Sequence, residues 1–531
     1  MALLACAAAA PAQPPVVAPP AQAEWAPPAG WLVVVEVADL TALTERARLL
    51  LKPWDRNLPD VVRLAEQRLG QQALGDGPWL AVLTRADGGH LVPVVFAPVD
   101  DFDAFRRGLA AERAGDLAIA KLGQYEIALA ERGPWARLTL LDDADRLADG
   151  AADPLGPAPE GDLVVRTSQQ GRRWLAERLS ERRRAAIDSR GRRDPWRWSD
   201  GVQGAVDWLA PYGPVVESLG RVRGEVSVAF SLDAAADELV AAVRAPHAEP
   251  AEAAEPLPPP AVPANRPILV AQSAGPLPAL VIDLILATHQ SRPSVIEAAE
   301  FPQPYWDDFA DAYRQLLEGY RSFRAVLDTP AADGPVAANQ RLAFRWSGDA
   351  DSFGNLLHLL VVRWNLLNEA ANASTPHRVG IERLEPAGWR LSVDLVKAFG
   401  LDPTPDITAL LDRYYGAGGE LQMLVTPRGE SAYLVTMGQP PEAESANAPE
   451  ADETTTDGAL LTGAFWLDRW LAWSRQVELV DPVTAGPDRP PMAESPPARL
   501  RVTAAGGHLD AEFRLPLPTY RAAVAWRRAE P

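Results

Sequence analysis

The sequence predicts an α+β protein with two related halves, each a mainly antiparallel sheet with helices packed on one face. Three observations support this fold class: strand-like runs that lead directly into helices, strand pairs joined by short turns, and the recurrence of these units in one order. A chain of 531 residues is long enough for each half to bury a core of its own.

The strand-to-helix unit is clearest at residues 32–51, where a valine run is followed by Asp39 and then by leucines at helical spacing. Aspartate suits this position because, at a helix N-cap, its carboxylate accepts a backbone N–H that has no partner within the helix. The same unit recurs with Asp100 or Asp101 in segment 91–109, with Asp142 and Asp143 after the strand at 135–141, and with Asp349 or Asp351 in segment 341–362.

The segment VFAPVDDFDAF, residues 95–105, concentrates Asp100, Asp101 and Asp103, which could serve as metal ligands, as a catalytic carboxylate pair or as the start of a helix. The nearest calcium-loop frames start at Asp143 and Asp349. Both lack an oxygen ligand at the fifth position and a glutamate at the twelfth. We therefore predict that these aspartates cap helices and bind no metal.

A larger order also recurs along the chain: a hairpin, a strand followed by a helix, and a closing hairpin. In the first half these units are segments 123–141, 162–179 and 224–245, and in the second half they are segments 419–437, 459–476 and 499–517. The repetition indicates an internal duplication. Antiparallel hairpins with helices between them predict helices on one face of each sheet.

The domain boundaries follow from composition. Residues 1–30 form a signal-like leader and a Pro/Ala-rich tether, 31–245 the first α+β half, 246–265 a Pro/Glu-rich linker, and 266–531 the second α+β half. Within the second half, the acidic segment 438–458 has no apolar period and is predicted to be a disordered loop.

The start of the chain, MALLACAAAAPAQ, resembles the apolar region and small-residue cleavage site of a signal peptide, although no basic residue precedes it. Cys6 also stands in a sequence similar to a lipobox, close to Met1. We expect export to the periplasm, the cell envelope or the exterior, with the mature chain starting near Gln13. No later segment has the roughly 20 apolar residues needed to span a bilayer.

One stretch of the first half resembles a group of uncharacterised secreted bacterial proteins that are common in planctomycetes. The residues that carry the resemblance, mainly over about residues 90–220, are Pro98, Val99, Asp101, Phe105, Trp135, Thr139 and the segment DPLGPAPEGDLVVR. These motifs are structural. The resemblance implies export and supplies neither a known function nor catalytic residues.

Composition and motifs give few signals for catalysis. The formal net charge of −20 argues against nucleic acid as a partner, because phosphates attract a basic surface. Cys6 is the only cysteine, and the six histidines are scattered singly; His358 is expected in the core because it lies within an apolar helix. No serine-hydrolase, zinc-protease or nucleotide-binding motif occurs. We therefore predict no catalytic residues, no cofactor and no metal ligands.

An arginine-rich stretch stands out in this acidic chain, with ten arginines between residues 172 and 197. Together with its tryptophans it could form a surface for an anionic envelope polymer, a lipid or a protein partner. The candidate residues are Arg172, Arg173, Trp174, Arg182, Arg183, Arg184, Trp196 and Trp198. The alternative is a solvated helix whose arginines pair with glutamates one turn away.

A second stretch, FWLDRWLAWSRQ, places Trp466, Trp470 and Trp473 on one stripe of a helix. Such a stripe could line an apolar groove for a ligand, or it could pack against the sheet as core. The sequence leaves both interpretations open.

These observations predict a non-enzymatic binding or structural component of the cell envelope. One alternative is a periplasmic carrier or sensor that encloses an amphiphilic ligand between the sheets and the tryptophan-bearing helix. Another is a hydrolase whose residues converge only in the folded structure.

Overall fold

The computed structural model describes most of the two halves. The described residues are 27, 30–51, 74–75, 77–85, 91–122, 125–147, 155, 158–188, 213–233, 236–247, 267–290, 302–329, 340–371, 378–394, 404–405, 408–409, 412, 420–428, 431–437, 459–480 and 491–528. The predicted leader, almost all of the linker and the whole acidic loop at 438–458 lie outside the described residues.

Within these ranges the strands of the first half end at Pro246 and those of the second half begin at Pro267. The first ten strands are β1 (Trp31–Val37), β2 (Trp79–Arg85), β3 (Leu91–Pro98), β4 (Glu112–Ala114), β5 (Leu117–Leu122), β6 (Tyr125–Arg132), β7 (Trp135–Leu140), β8 (Leu163–Thr167), β9 (Val226–Asp233) and β10 (Glu238–Pro246). The second ten are β11 (Pro267–Ser273), β12 (Tyr320–Asp328), β13 (Gln340–Trp346), β14 (Val379–Arg383), β15 (Trp389–Asp394), β16 (Glu420–Pro427), β17 (Ala432–Met437), β18 (Leu461–Phe465), β19 (Ala498–Ala505) and β20 (His508–Pro516).

The helices lie between strands and at the end of the described chain. They are α1 (Leu40–Leu51), α2 (Phe102–Gly108), α3 (Gln169–Asp188), α4 (Gly213–Arg221), α5 (Ala279–Gln290), α6 (Gln303–Glu318), α7 (Ala350–Ala371), α8 (Leu467–Val480) and α9 (Leu517–Arg528), with a 3₁₀ helix at Leu141–Leu147. The fold is therefore a mixture of helices and antiparallel strands, as the sequence predicted.

The described strands form one 20-stranded sheet, in which every pairing is antiparallel. Across the sheet the strands follow the order β4-β5-β6-β7-β3-β2-β1-β8-β9-β10-β20-β19-β18-β11-β12-β13-β17-β16-β15-β14. The two halves thus share a sheet, joined where β10 pairs with β20, and do not form a separate sheet each as expected.

Each strand of the second half has the same neighbours as its counterpart in the first half: adding ten to every strand number of the first-half order, β4-β5-β6-β7-β3-β2-β1-β8-β9-β10, gives the second-half order, read from the opposite edge of the sheet. Single backbone contacts repeat as well. The N–H of Ser168 donates to the carbonyl of Leu32 over 3.0 Å, and that of Trp466 donates to the carbonyl of Ile268 over 2.9 Å. Both contacts join the residue after β8 or β18 to the second residue of β1 or β11. The predicted common origin of the halves stays a prediction.

The sheet has two faces, because alternate residues of a strand point to opposite sides and directly paired residues point to the same side. Face A is the side that carries Ala97, Ala136, Phe230, Phe344 and Tyr433 along the paired strands. Face B is the opposite side. Helices α2, α5, α6 and α7 pack on face A of the outer strands, around Phe105 in the first half and around Phe353 in the second.

The predicted helix caps are confirmed at three aspartates. Asp39 accepts the backbone N–H of Ala42 over 2.8 Å, Asp101 that of Ala104 over 2.9 Å, and Asp349 that of Ser352 over 2.7 Å. Asp101, and not Asp100, is therefore the cap of α2. Asp142 and Asp143 lie in the first turn of the 3₁₀ helix.

The predicted hairpins are also present. β6 and β7 are joined by Gly133 and Pro134, and β19 and β20 by Gly506 and Gly507, whose φ angles are 60° and 79°. Two successive residues with positive φ are what a two-residue hairpin turn requires, and glycine adopts them without strain.

Candidate functional site

The centre of face A is an apolar surface made by six neighbouring strands, β9, β10, β20, β19, β18 and β11. Its side chains are Val226, Val228, Phe230, Leu232, Leu239, Ala241, Val243, Ala245, Leu509, Ala511, Phe513, Leu515, Ala498, Leu500, Val502, Ala504, Leu461, Gly463, Phe465, Leu269, Ala271 and Ser273. The one polar side chain, Ser273, already donates to the carbonyls of its own chain at Gly275 and Leu460, over 2.9 and 2.6 Å. We call this set the central apolar face.

Four large side chains of the central apolar face are exposed. Phe230 and Phe513 keep 45% and 42% of their surface accessible, and Leu500 and Leu269 keep 36% each. Large apolar side chains in the middle of a sheet are normally covered by a second layer, so this exposure marks a place where a partner or ligand is expected.

Small residues lie beside these large ones along the row. Ala241 pairs with both Phe230 and Phe513, so the two rings stand two strand spacings apart, about 10 Å, with only a methyl group between them. Beyond Leu500 the same row continues through Gly463 and Ala271. The row therefore has apolar ridges with shallow depressions between them.

The backbone packing around position 463 does not require glycine there. A Cβ added there would lie at ordinary contact distance, 3.6 Å from the Cβ of Leu500 and 3.6 Å from the carbonyl oxygen of Val270. The missing side chain thus leaves space on the face without relieving a steric clash.

Helices stand beside this surface. Leu277, Ile282 and Leu286, in and before α5, pack with Phe323 of β12 on the same face. On the first-half side, Phe105 of α2 packs over the strands β3, β5, β6 and β7. The central apolar face therefore lies between two helix-covered regions of face A.

Face B of the same strands is more polar, because β10, β19 and β20 carry charged residues there. Arg244 of β10 donates to both carboxylate oxygens of Asp510 of β20, over 2.6 and 3.1 Å, and the hydrogen bond to Asp510 raises the pKa of the guanidinium. Arg514 of β20 pairs with Glu238 of β10 over 3.1 Å and with Glu512 over 2.5 Å. These ion pairs hold the two halves together at the β10–β20 pairing.

The structure places Arg172, the first residue of the predicted arginine-rich surface, in the interior. Arg172 is 4% exposed, and its guanidinium donates to the carbonyls of Thr167, Leu219, Val222 and Gly224 over 2.6–2.8 Å. Burial lowers its pKa to about 10, which still leaves it charged at neutral pH. Arg172 therefore links β8, α4 and the segment before β9, and it does not lie on the surface where the sequence placed it.

The other candidates of that stretch are partly described. Arg173 is exposed, and Trp174 is half-buried with the Arg178 guanidinium 6.0 Å from its ring. Arg178 pairs with Glu181 over 3.0 Å, one turn away, which matches the alternative of a solvated helix. The side chains of Arg182, Arg183 and Arg184, and the whole of Trp196 and Trp198, lie outside what the structure describes.

The tryptophan stripe lies at the margin of the central apolar face. The ring of Trp470, 36% exposed, lies 5.9 Å from that of Phe465, which belongs to the face, and 4.9 Å from that of Trp473. The Arg469 guanidinium lies 4.9 Å from the ring of Trp466. The stripe is thus neither fully buried core nor a groove of its own, and its outer rings extend the apolar surface.

The histidines show one difference from expectation. His358 is exposed on α7 and is not a core residue, because the helix presents Phe353, Leu357 and Val361 to the sheet and turns His358 outward. His289 lies beside Tyr313, 3.5 Å from its hydroxyl. In the described ranges, no three His, Cys, Asp or Glu side chains are grouped closely enough to hold a metal ion.

Comparison with family models, curated proteins and solved structures finds no match for this chain. The resemblance to planctomycete secreted proteins therefore stays a prediction. Among the helices described, none combines the length and apolar character needed to cross a membrane.

Sequence reasoning missed the central apolar face although its signal is visible. The strand HLDAEFRLP alternates between apolar and polar or charged residues, which predicts a sheet with one polar side, whereas ELVAAVRAP is charged only at Glu238 and Arg244. The sequence pattern does not reveal that β10 and β20 are neighbours. It also does not reveal that no helix of the described chain covers Phe230 and Phe513.

Proposed function

We propose that the protein is a non-enzymatic binding protein for the apolar chain of an amphiphile. The observation that carries the proposal is the exposed row of Phe230, Phe513 and Leu500 in the middle of the central apolar face. The binding energy would come from removing apolar surface from water, at about 25 cal/mol for each Å² buried.

An apolar chain suits this surface better than a protein segment does. The backbone groups of these strands are used in the ladder, so an incoming strand finds no free edge. Protein partners also bring polar groups that need partners, and the face offers one hydroxyl, which is already bonded. An alkyl chain needs neither a free strand edge nor hydrogen-bond partners.

The size of the surface supports the same conclusion. Five strand spacings of about 4.8 Å make it about 24 Å wide, and seven residues of a strand make it about 23 Å long. Several members of this footprint are buried, among them Val502 and Leu509, so its exposed part is the smaller area around Phe230, Phe513 and Leu500, and exposed apolar patches of this kind are often functional.

The architecture forms the second part of the proposal: the two halves are copies of one ancestral unit. The identical order of strand pairing and the repeated contact after β8 and β18 support it. In such a duplicated scaffold the central apolar face is where the two copies meet. An exported location, as the start of the sequence predicts, would place this carrier or sensor in the cell envelope.

The proposal is tested with purified, delipidated protein and a fluorescent fatty acid as probe. We expect saturable binding to the wild type and a loss of at least about tenfold in affinity in Phe513→Glu and Leu500→Glu, because a charge on the surface would have to lose its water. Thr503→Glu is the matched control, since Thr503 lies on β19 but on face B.

Two results would contradict the proposal. One is an equal loss of affinity in Thr503→Glu, which would show that the probe binds elsewhere. The other is a wild-type dimer that Phe513→Glu converts to a folded monomer, measured by light scattering, because the face would then bind a second copy of the chain.

A further inference from the structure

Face B of the second half carries a group of arginines on β12 and β13. Arg324 of β12 lies directly opposite Ala343 of β13, and Arg341 and Arg345 stand two residues to either side of Ala343. Diagonal neighbours of this kind have Cα atoms about 7–8 Å apart, within reach of long side chains. We call Arg324, Arg341 and Arg345 the arginine triad.

The charges of the arginine triad are only partly balanced. Arg341 pairs with Asp328. Arg324 and Arg345 have no carboxylate partner in the described chain, and the Nε–H of each is shielded from solvent without a hydrogen-bond acceptor. Burial lowers the pKa of Arg324, which reflects the cost of holding this cation partly out of water.

Such an arrangement is unfavourable unless something compensates it. Like charges on neighbouring strands repel, and a shielded N–H without an acceptor costs about 1–3 kcal/mol. Three other arginines on face B have carboxylate partners: Arg244 pairs with Asp510, Arg390 with Glu382 and Arg514 with Glu238, although the Nε–H of Arg390 is also shielded without an acceptor. The arginine triad differs from these three in that Arg324 and Arg345 have no carboxylate partner in the described chain.

The first half shows that the fold does not require arginines here. β2 and β3, which occupy the same places in the pairing order as β12 and β13, carry Leu80, Val82, Val94 and Phe96 on face B, all buried in an apolar core. The second half has cations where the first half has core residues.

Ala343, with its short side chain, lies between the arginines on the paired strands, and two residues with hydroxyl groups lie on the same face. Ser322 lies opposite Arg345, and Thr436 lies opposite Arg341 on β17. Guanidinium groups bind tetrahedral oxyanions through pairs of N–H groups, and hydroxyls complete such sites. We propose that the arginine triad binds a phosphate or sulfate group, either as the free ion or as part of a larger molecule.

The test uses inorganic phosphate and sulfate with the full chain, at an ionic strength held constant with chloride. The thermal midpoint of unfolding of the wild type should rise with phosphate or sulfate, because a ligand that binds the native state stabilises it. Arg324→Gln and Arg345→Gln should each weaken binding by about 10- to 100-fold, the equivalent of one lost charged hydrogen bond.

Arg499→Gln is the matched control, because Arg499 is an exposed arginine on the same face, on β19. It should bind like the wild type. Glycerol phosphate in a parallel titration separates the two sources: tighter binding than inorganic phosphate indicates a phosphoryl group carried on a larger molecule, and equal or weaker binding indicates the free ion.

Folding of each variant is checked by circular dichroism, and Arg324→Lys keeps the test valid if Arg324→Gln does not fold. Lysine retains the charge but not the paired N–H geometry, so Arg324→Lys should bind more weakly than the wild type. The proposal is overturned if the wild type shows no midpoint shift specific to phosphate or sulfate, or if Arg324→Lys, Arg345→Gln and Arg499→Gln all retain the full shift.

Discussion

Two cores occupy the same place in the two halves and are built from different residues. In the first half, the core on face A of β3, β5, β6 and β7 contains five alanines with Val99, Phe105 and Leu129. In the second half, the core on face A of β13, β15, β16 and β17 contains Phe344, Phe353, Tyr433 and Trp389. The strand pairing is the same in both halves, but the core side chains on the strands are mainly small in the first half and aromatic in the second.

The helices differ in proportion. The alanine core is covered by α2, of 7 residues, and the aromatic core by α7, of 22 residues, together with α6. Alanine side chains on the sheet let a short helix pack close to it. Aromatic side chains rise further from the sheet and need more helix surface to cover them. The comparison teaches that the backbone ladder sets the topology and that side-chain volume sets how large the covering layer must be.

The largest effect that tests this comparison is expected from Phe353→Ala. The ring of Phe353 is 2% exposed and lies 4.3 Å from that of Tyr433 and 5.5 Å from that of Trp389. We expect a loss of about 3–5 kcal/mol in the free energy of unfolding, from lost burial and the cavity left behind. Urea denaturation measures it.

Phe105→Ala is the matched variant in the first half, since Phe105 is 1% exposed and follows its N-cap aspartate by four residues, as Phe353 does. Its loss should be smaller by about 0.5–1.5 kcal/mol, the contribution of aromatic contacts beyond buried area. If Phe105→Ala destabilises the protein as much as Phe353→Ala or more, the aromatic packing adds nothing to the second core.

A second comparison concerns equivalent positions at the start of α3 and α8. Arg172 and Trp470 are each the fourth residue of their helix, and the backbone N–H of each donates over 3.0 Å to the residue before the helix, Ser168 or Trp466. Arg172 is buried, whereas Trp470 is 36% exposed. One half uses the position to bond four carbonyls, and the other half presents a ring at the margin of the central apolar face.

Arg172→Leu should therefore lower the free energy of unfolding by about 2–3 kcal/mol, because carbonyls buried around the guanidinium lose their donor. Trp470→Ala should cost less than about 1 kcal/mol, as is usual at exposed sites. Both are measured by urea denaturation. Arg173→Leu is the control for arginine loss on α3, and a cost as large as that of Arg172→Leu would show that the buried carbonyl contacts are not the cause.

The sequence predicted much of the local structure and little of the candidate site. Asp39, Asp101 and Asp349 were recognisable as caps because capping depends on residues within one turn. The burial of Arg172 was not, because its acceptors at 219–224 are distant in sequence and become neighbours only through the packing of α3 and α4. The central apolar face combines strands from both halves, and no local pattern reveals the pairing of β10 with β20.

The smallest expected effect concerns acid stability at the start of α7. The hydroxyl of Ser352, and secondly its backbone N–H, hold the pKa of the Asp349 carboxyl below the usual value of 3.8. Because the unfolded chain then binds the proton more tightly, the cap stabilises the protein fully above the unfolded pKa. That contribution is lost as the pH falls through the lower folded pKa.

The denaturation midpoint of the wild type should therefore fall more steeply than that of Asp349→Ala when the pH is lowered from about 6 to about 2, and the two curves should approach each other at the acid end. Asp351→Ala is the control, because Asp351 is an exposed carboxylate two residues further on that pairs with Arg383 over 3.4 Å and caps nothing. Its profile should follow that of the wild type. Parallel profiles for Asp349→Ala and the wild type would mean that the Ser352 contacts do not favour the charged carboxylate. The start of α7 would then depend on the aromatic core beneath it and not on its cap.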